Sequence, residues 1–439
     1  MRPRLPVVAF LLGALSSVAC EREGTVIVEP GEAPGRAAAT HSVALTPAMT
    51  AWIDSTFSGF TGPANATFLL LQEDTKTLTS RGLIRFEFIQ DSVFVFDSLS
   101  GPLRFDSARI VLNIDTARTM LGSVPPPPGS WQRATTLQVV EVTQDWDRGS
   151  VDWENAVDSV GFQVPWNGGP GGAFGRVLGD TTLTEAADSL VIWLDVDTDS
   201  LLRDWLDTMT VNRGIGLVVT DTGSVTLQLP RIEYNIVPES EPDTAIRLSV
   251  LATDGTFIFD APAVGSAAGV LRVGGVEGWR SFLSITVPDS LPVEGTGELE
   301  SVRGATINRA DLFLISRPPP DPPFAADQNF FATAYTLVDD FTVLGAKTPV
   351  GRLLAGSDAE LQVDSLMAGD TIAMNITRRV QTWADLPDDS VAPPLRLSIR
   401  GLFEATTFGF WEFGAADGDP AYAPVLRIVF TPPTEFTLP

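Results

Sequence analysis

At 439 residues the chain exceeds what one ordinary hydrophobic core requires, so two or three domains are expected. Its 55 acidic against 29 basic side chains give a formal net charge of −26, which leaves no basic stripe for nucleic acid and disfavours anionic lipid surfaces. A single histidine, His41, and a single cysteine, Cys20, exclude Ser-His-Asp and Cys-His catalysis, zinc sites built on those residues and any intramolecular disulfide.

In chain order, Arg2 and Arg4 precede an apolar stretch from Leu5 to Ala19 that is too short to span a bilayer and ends in SSVAC. This is similar to a bacterial lipoprotein signal peptide, residues 1–19, whose cysteine, Cys20, becomes lipidated; Ser17 stands where such signals usually carry leucine. The resemblance implies a cell-envelope protein held to its membrane by lipid on Cys20 alone. Residues 20–42 mix Pro, Gly, Ala and charge without period and read as a flexible tether.

From Val43 the pattern is that of strands. TFLLLQ, GLIRFEF, ARIVLNI, TLQVVEV, SLVIWLDV and GIGLVVT each have strand length and strand composition, with turn residues on both sides. PPPPGS (Pro125 to Ser130) and WNGGPGG (Trp166 to Gly172) read as loops. PESEPDT, Pro238 to Thr244, is a short acidic connector, and after it the pattern restarts. RGLIRFEF then SARIVLNI in the first half answer to RSFLSITV then RADLFLIS in the second; DTDSLLRDW answers to NITRRVQTW, and a Pro-led strand closes each half. The expectation is an all-β chain of two tandem β-sandwich domains, 43–237 and 246–433, joined by a linker at 238–245.

These blocks resemble the DNRLRE domain family, secreted jelly-roll modules related to carbohydrate-binding modules. The matching elements are the arginine-led RGLIRFEF, the SARIVLNI strand, the two-tryptophan stretch VTQDWDRGSVDWENAV with Asp152 in place of the usual threonine, the DTDSLLRDW helical turn and the closing strand. The second half lacks the two-tryptophan element and carries FFATAYTLVDDFTVLGAKTPVGRLLAG instead. The resemblance implies two jelly rolls and a binding or structural role, with polysaccharide or another envelope component as the partner.

Paired carboxylates could serve a glycosidase, but among 55 Asp and Glu some pair meets the spacing by accident, so the expectation is no enzyme. For calcium, Asp417 and Asp419 in GAADGDPAY form a weak candidate loop, and Asp197 or Asp199 in DVDTDS suits a helix N-cap better than a metal. Sugar faces stack on exposed flat rings, for which Trp131, Trp166 and Trp411, all in or beside loops, are the candidates. Trp193 inside SLVIWLDV, with Trp205 and Trp383 at equivalent places of the repeat, reads as core. Trp146 and Trp153 read as a structural seam that folds a long loop back onto the sandwich, with Asp147, Asp152 and Asn155 bonding its turns.

Overall fold

The computed structural model describes residues 40–433, less 75–77, 96–97, 100–102, 117–118, 122–133, 160, 185–186, 208–210, 261–268, 294–295, 321–323, 327–328, 363–365, 388–390 and 403. It is nearly all β, and the alternation of buried and exposed residues along its strands is that of sheets with one face on a core.

The main elements of the first half are β1 (His41–Leu45), β2 (Trp52–Phe57), β3 (Leu69–Asp74), β4 (Leu78–Arg85), β5 (Leu103–Asn113), β6 (Thr135–Val142), β7 (Phe174–Leu183), β8 (Ser189–Trp193), α1 (Thr198–Leu206), β9 (Ile215–Val219), β10 (Gly223–Leu227) and β11 (Arg231–Pro238). The second half repeats them in the same order: β12 (Ile246–Leu251), β13 (Asp254–Asp260), β14 (Val270–Val273), β15 (Arg280–Ile285), β16 (Thr306–Ile315), β17 (Phe330–Leu337), β18 (Val350–Leu353), β19 (Thr371–Asn375), α2 (Thr377–Ala384), β20 (Leu395–Gly401), β21 (Trp411–Gly414) and β22 (Val425–Thr431).

Each sandwich has a four-stranded sheet, ordered β8-β5-β11-β12 in one and β19-β16-β22-β1 in the other. Facing it is a larger sheet, containing β7-β6-β9-β4-β13 in the first and β18-β17-β20-β15-β2 in the second. Two antiparallel sheets interleaved in this order are the jelly-roll arrangement. The side pairs β3 with β10 and β14 with β21 also correspond.

The sandwiches are not the two consecutive segments expected from the sequence. The first is continuous but runs from β3 through β13, residues 69–260, and therefore takes in the strands that follow the acidic connector. The second is built from β14 to β22 and is completed by β1 and β2 from the start of the chain, β1 against β22 and β2 against β15. Residues 239–245 accordingly form the turn of a hairpin, with Pro238 still in β11, and the expected linker 238–245 between domains is not one.

Two physical reasons support this pairing. The connector is short, so β12 folds back directly on β11 with Ile246 opposite Ile236 and Leu251 opposite Arg231, a local contact that needs little loop closure. The two candidate edge strands also carry different side chains. Opposite Gly82 on β4, β13 brings Phe257, fully buried among Phe68, Phe259 and Phe408. The equivalent residue of β2 is Thr56, which would leave that space unfilled; in its observed place its hydroxyl bonds Ser281 at 3.1 Å and the Val270 carbonyl at 3.2 Å.

The two sandwiches form one compact unit. Phe408 of the second inserts beside Phe257 and Phe259 of the first, edge-on to Phe259 at 5.4 Å, and Phe324 flanks it at 5.9 Å. The crossover after β2 is pinned by Gly59 N to Glu277 O at 2.8 Å and Thr61 Oγ1 to Val276 O at 2.7 Å.

Candidate functional site

In both sandwiches the outer face of the larger sheet is covered by the loop that joins corresponding strands. In the first, the loop after β6 folds back and encloses Trp146 and Trp166 with Leu83, Val142, Val151 and Ile258 in a small separate core. Arg81 and Arg85 of β4, two strand repeats apart and hence on one face, hold it down. The Arg85 guanidinium lies over Trp146 at 4.2 Å and donates to Asp145 Oδ1 at 2.6 Å, while Arg81 lies over Trp153 at 5.1 Å and donates to Gly171 O at 2.6 Å. Gly171 has φ of +92°, and a Cβ there would sit 2.7 Å from Arg81 Nη1, so only glycine fits. Asp152 Oδ1 accepts from the Asn155 and Glu154 amides at 2.6 and 2.8 Å, and Asp147 Oδ2 accepts from Ser150 Oγ at 2.7 Å. In the second sandwich Phe341 fills the same place, edge-on to Phe282 at 5.9 Å.

The four-stranded sheet of the first sandwich is different, for its outer face is open. Trp193 is 52% exposed on β8, and the strand register sets it beside Arg109, then Glu233, then Ser249, one residue from each strand. The next row along is Val191, Val111, Arg231 and Leu251, and on the other side Asn235 donates to Ser107 Oγ at 2.9 Å. Arg109 stands 5.1 Å from the Trp193 ring and donates to Glu233 Oε2 through Nη2 at 2.6 Å; Arg231 Nε donates to Glu233 Oε1 at 3.1 Å. Hydrogen bonds from Arg109, and then from Arg231, hold the Glu233 carboxyl below its ordinary pKa, so it is an acceptor at neutral pH. Four strands at about 4.8 Å spacing make a strip roughly 14 Å across, carrying one indole and a fixed lattice of donors and acceptors. Such a surface can stack a flat apolar ring face and bond the hydroxyls around it.

The residues expected from the sequence to present rings do not do so. Trp166 is only 4% exposed, packed in the loop core with Nε1 donating to Asp152 O at 3.1 Å, because the Gly-rich turn after it tucks the indole inward. Trp411 is 7% exposed, since it opens β21 and joins the second core. Trp131 and Cys20 lie outside the described residues. Trp193, expected in the core, is the ring that faces out: Leu190, Ile192 and Leu194 alternate with Ser189, Val191 and Trp193, and it is the first set that points inward.

Trp383 is buried and donates to Pro393 O at 3.1 Å, whereas its counterpart Trp205 is half-buried and stacked on Phe86 at 6.0 Å. Asp419 caps a single 3-10 turn by accepting from Ala421 N at 3.0 Å, Asp417 is exposed, and Asp54 accepts from Ala416 N at 2.6 Å. Among the described residues no three His, Cys, Asp or Glu side chains gather as a metal site. Asp197 caps α1 through Ser200 N, and Asp199 accepts from Phe105 N at 2.9 Å and pairs with Arg203 at 2.8 Å.

No family model matches the chain, and no curated protein matches it either. Among solved structures, a chain from "Structure of infectious bursal disease virus Gx strain" is 12% identical, with 92% of this chain and 79% of that chain covered, at a TM-score of 0.12. A likeness at that level bears on neither fold nor function.

Proposed function

We propose that the protein is a non-catalytic, lipid-anchored component of a bacterial cell envelope, of the DNRLRE type, whose open four-stranded face binds carbohydrate or a related envelope polymer. The observation that carries this reading is Trp193, a half-exposed indole held on a rigid sheet beside Arg109, Glu233 and Ser249. A ring on a sheet loses little freedom when a sugar stacks on it, and Glu233 is already ordered by two arginines, so the surface is organised before the ligand arrives.

A purely structural spacer is the competing role. It fits less well, because a segment entering at Thr40 and one leaving at Thr431 emerge side by side, with the two hydroxyls 3.4 Å apart. A body whose first and last described strands, β1 and β22, lie side by side spans little distance between them.

The test is a polysaccharide array probed with the wild-type chain and with Trp193→Ala. Binding lost on that substitution, with the thermal transition unchanged, supports the proposal. Binding to some glycan that Trp193→Ala leaves intact moves the site elsewhere, and no binding to any glycan removes the carbohydrate reading.

A further inference from the structure

The second sandwich has a cleft of a different kind. Between the N-terminal turn of α2 and the edge strand β18 lies a cavity of about 610 Å³, lined by Thr336, Gly351, Arg352, Arg378, Arg379 and Thr382 together with short apolar side chains. Three arginines and no carboxylate line it, in a chain where acids outnumber bases 55 to 29. Among the described contacts none of these three guanidinium groups pairs with a carboxylate or donates a side-chain hydrogen bond, and Arg379 Nε is fully enclosed without an acceptor. Arg379 is half-buried, where leaving donors unmet costs free energy, and Arg352 and Arg378 reach the cleft from its exposed rim.

The surroundings do not offer one. Arg396, nearby on β20, is engaged with Asp340 at 2.9 Å. The adjoining cavity, about 530 Å³, shares Arg378 and Thr382 and includes Asp385, whose carboxylate is bonded by Gln381 Nε2 at 2.7 Å. Burial pulls Arg379 below its ordinary pKa, and the neighbouring Arg396 charge adds to the fall. The equivalent helix of the first sandwich makes the contrast plain. There α1 carries Asp199 in its first turn, the acidic residue that a helix N-terminus favours, whereas α2 puts Arg378 and Arg379 in the corresponding turn, against the helix dipole.

The geometry points to an oxyanion site in this cleft, taking a tetrahedral dianion of the phosphate class between Arg378, Arg379 and Arg352. Guanidinium forks match phosphate oxygens bidentately. The Thr382 hydroxyl donates to Arg378 O at 2.9 Å and that of Thr336 to Arg352 O at 3.4 Å, so the arginines alone hold the anion. Two or more unpaired arginines call for more charge than one carboxylate brings, and a dianion supplies it. The same chemistry could come from free phosphate or from a phosphomonoester on an envelope sugar. The site is separate from the Trp193 face and does not depend on that reading.

Isothermal titration of the full chain with inorganic phosphate, against chloride at matched ionic strength, tests it. Saturable binding is expected, with affinity reduced at least tenfold in Arg379→Gln and in Arg378→Gln. Arg379→Lys, which keeps charge but loses the fork, falls between, and Arg104→Gln on the other sandwich leaves phosphate affinity unchanged. The thermal transition of each variant separates lost binding from lost folding. A sugar phosphomonoester that binds at least tenfold tighter than phosphate assigns an esterified ligand; affinity below that margin assigns the free ion. Phosphate binding no better than chloride, or binding that survives both glutamine variants in folded protein, overturns the proposal.

Discussion

The two sandwiches share one strand order and differ in almost everything laid upon it. Equivalent arginines, Arg81 and Arg280, lead equivalent strands, yet Arg81 clamps the two-tryptophan loop through Trp153 and Gly171, whereas Arg280 grips Glu404 with two bonds of 3.0 Å and lies over Phe60 at 4.2 Å. On the four-stranded faces, Arg109 opposite Glu233 becomes Asp311 opposite Arg427, and the strand position of Trp193 is held by Asn375. The frame is kept by alternation and strand pairing, while loops and outward positions are free to change. That is why aromatic surface falls to one copy and the unpaired arginines to the other.

The sharpest way to break this comparison is to cut the chain where the sequence repeat and the structural repeat disagree. A fragment of residues 67–260 contains every strand of the first sandwich and is expected to unfold cooperatively on its own. A fragment of residues 43–237 lacks Phe257 and the β11–β12 hairpin and is expected to give no cooperative transition by circular dichroism. The next effect in size concerns the loop covers. Trp146→Ala and Phe341→Ala should each cost about 3–5 kcal/mol by denaturant titration, since each removes a large buried ring from a small satellite core. If only the tryptophan proves costly, the two covers are not equivalent.

A smaller effect lies at Asp54, whose carboxyl burial pushes above its ordinary pKa, with the Ala416 amide lowering it and Asp417 raising it further. A raised folded-state value means that stability is fully present below the unfolded pKa, about 3.9, and declines as pH rises through the folded value. Asp54→Asn should therefore raise the melting temperature at pH 7, with the advantage closing as pH falls toward 4. The smallest effect on the fold is that of Trp193→Ala, within about 0.5 kcal/mol because the half-exposed ring lies on the outer face, away from either core. Its loss should appear in glycan binding alone, and grafting Trp at Asn375 tests whether the second face can acquire the property.

Much of this was legible in the residues. Alternation marked the strands, order marked the repeat, and the Asp-rich stretch before α1 read correctly as a cap, which Asp197 provides. The pairing of β1 and β2 was not legible, because an edge strand carries no label for its partner; the choice depends on connector length and on whether Thr56 or Phe257 fills one space in a distant core. Trp193 was misread because an apolar run suggests burial as a block. Its period of two, with Ser189 and Val191 on the same side, was the available signal, and it would also have put Arg109 of SARIVLNI facing outward.

Strand exchange at the closure is the central claim, and a disulfide reports it directly. With Cys20 replaced by serine, Ala44→Cys is combined either with Arg427→Cys, its observed partner across β1 and β22, or with Glu233→Cys, the partner it would meet if β1 lay on β11 as β12 does. Opposed residues of antiparallel strands lie within disulfide reach, so mild oxidation should crosslink the first pair within one chain and leave the second reduced. Crosslinking of Ala44→Cys to Glu233→Cys, with none to Arg427→Cys, would show two self-contained tandem modules and contradict the account.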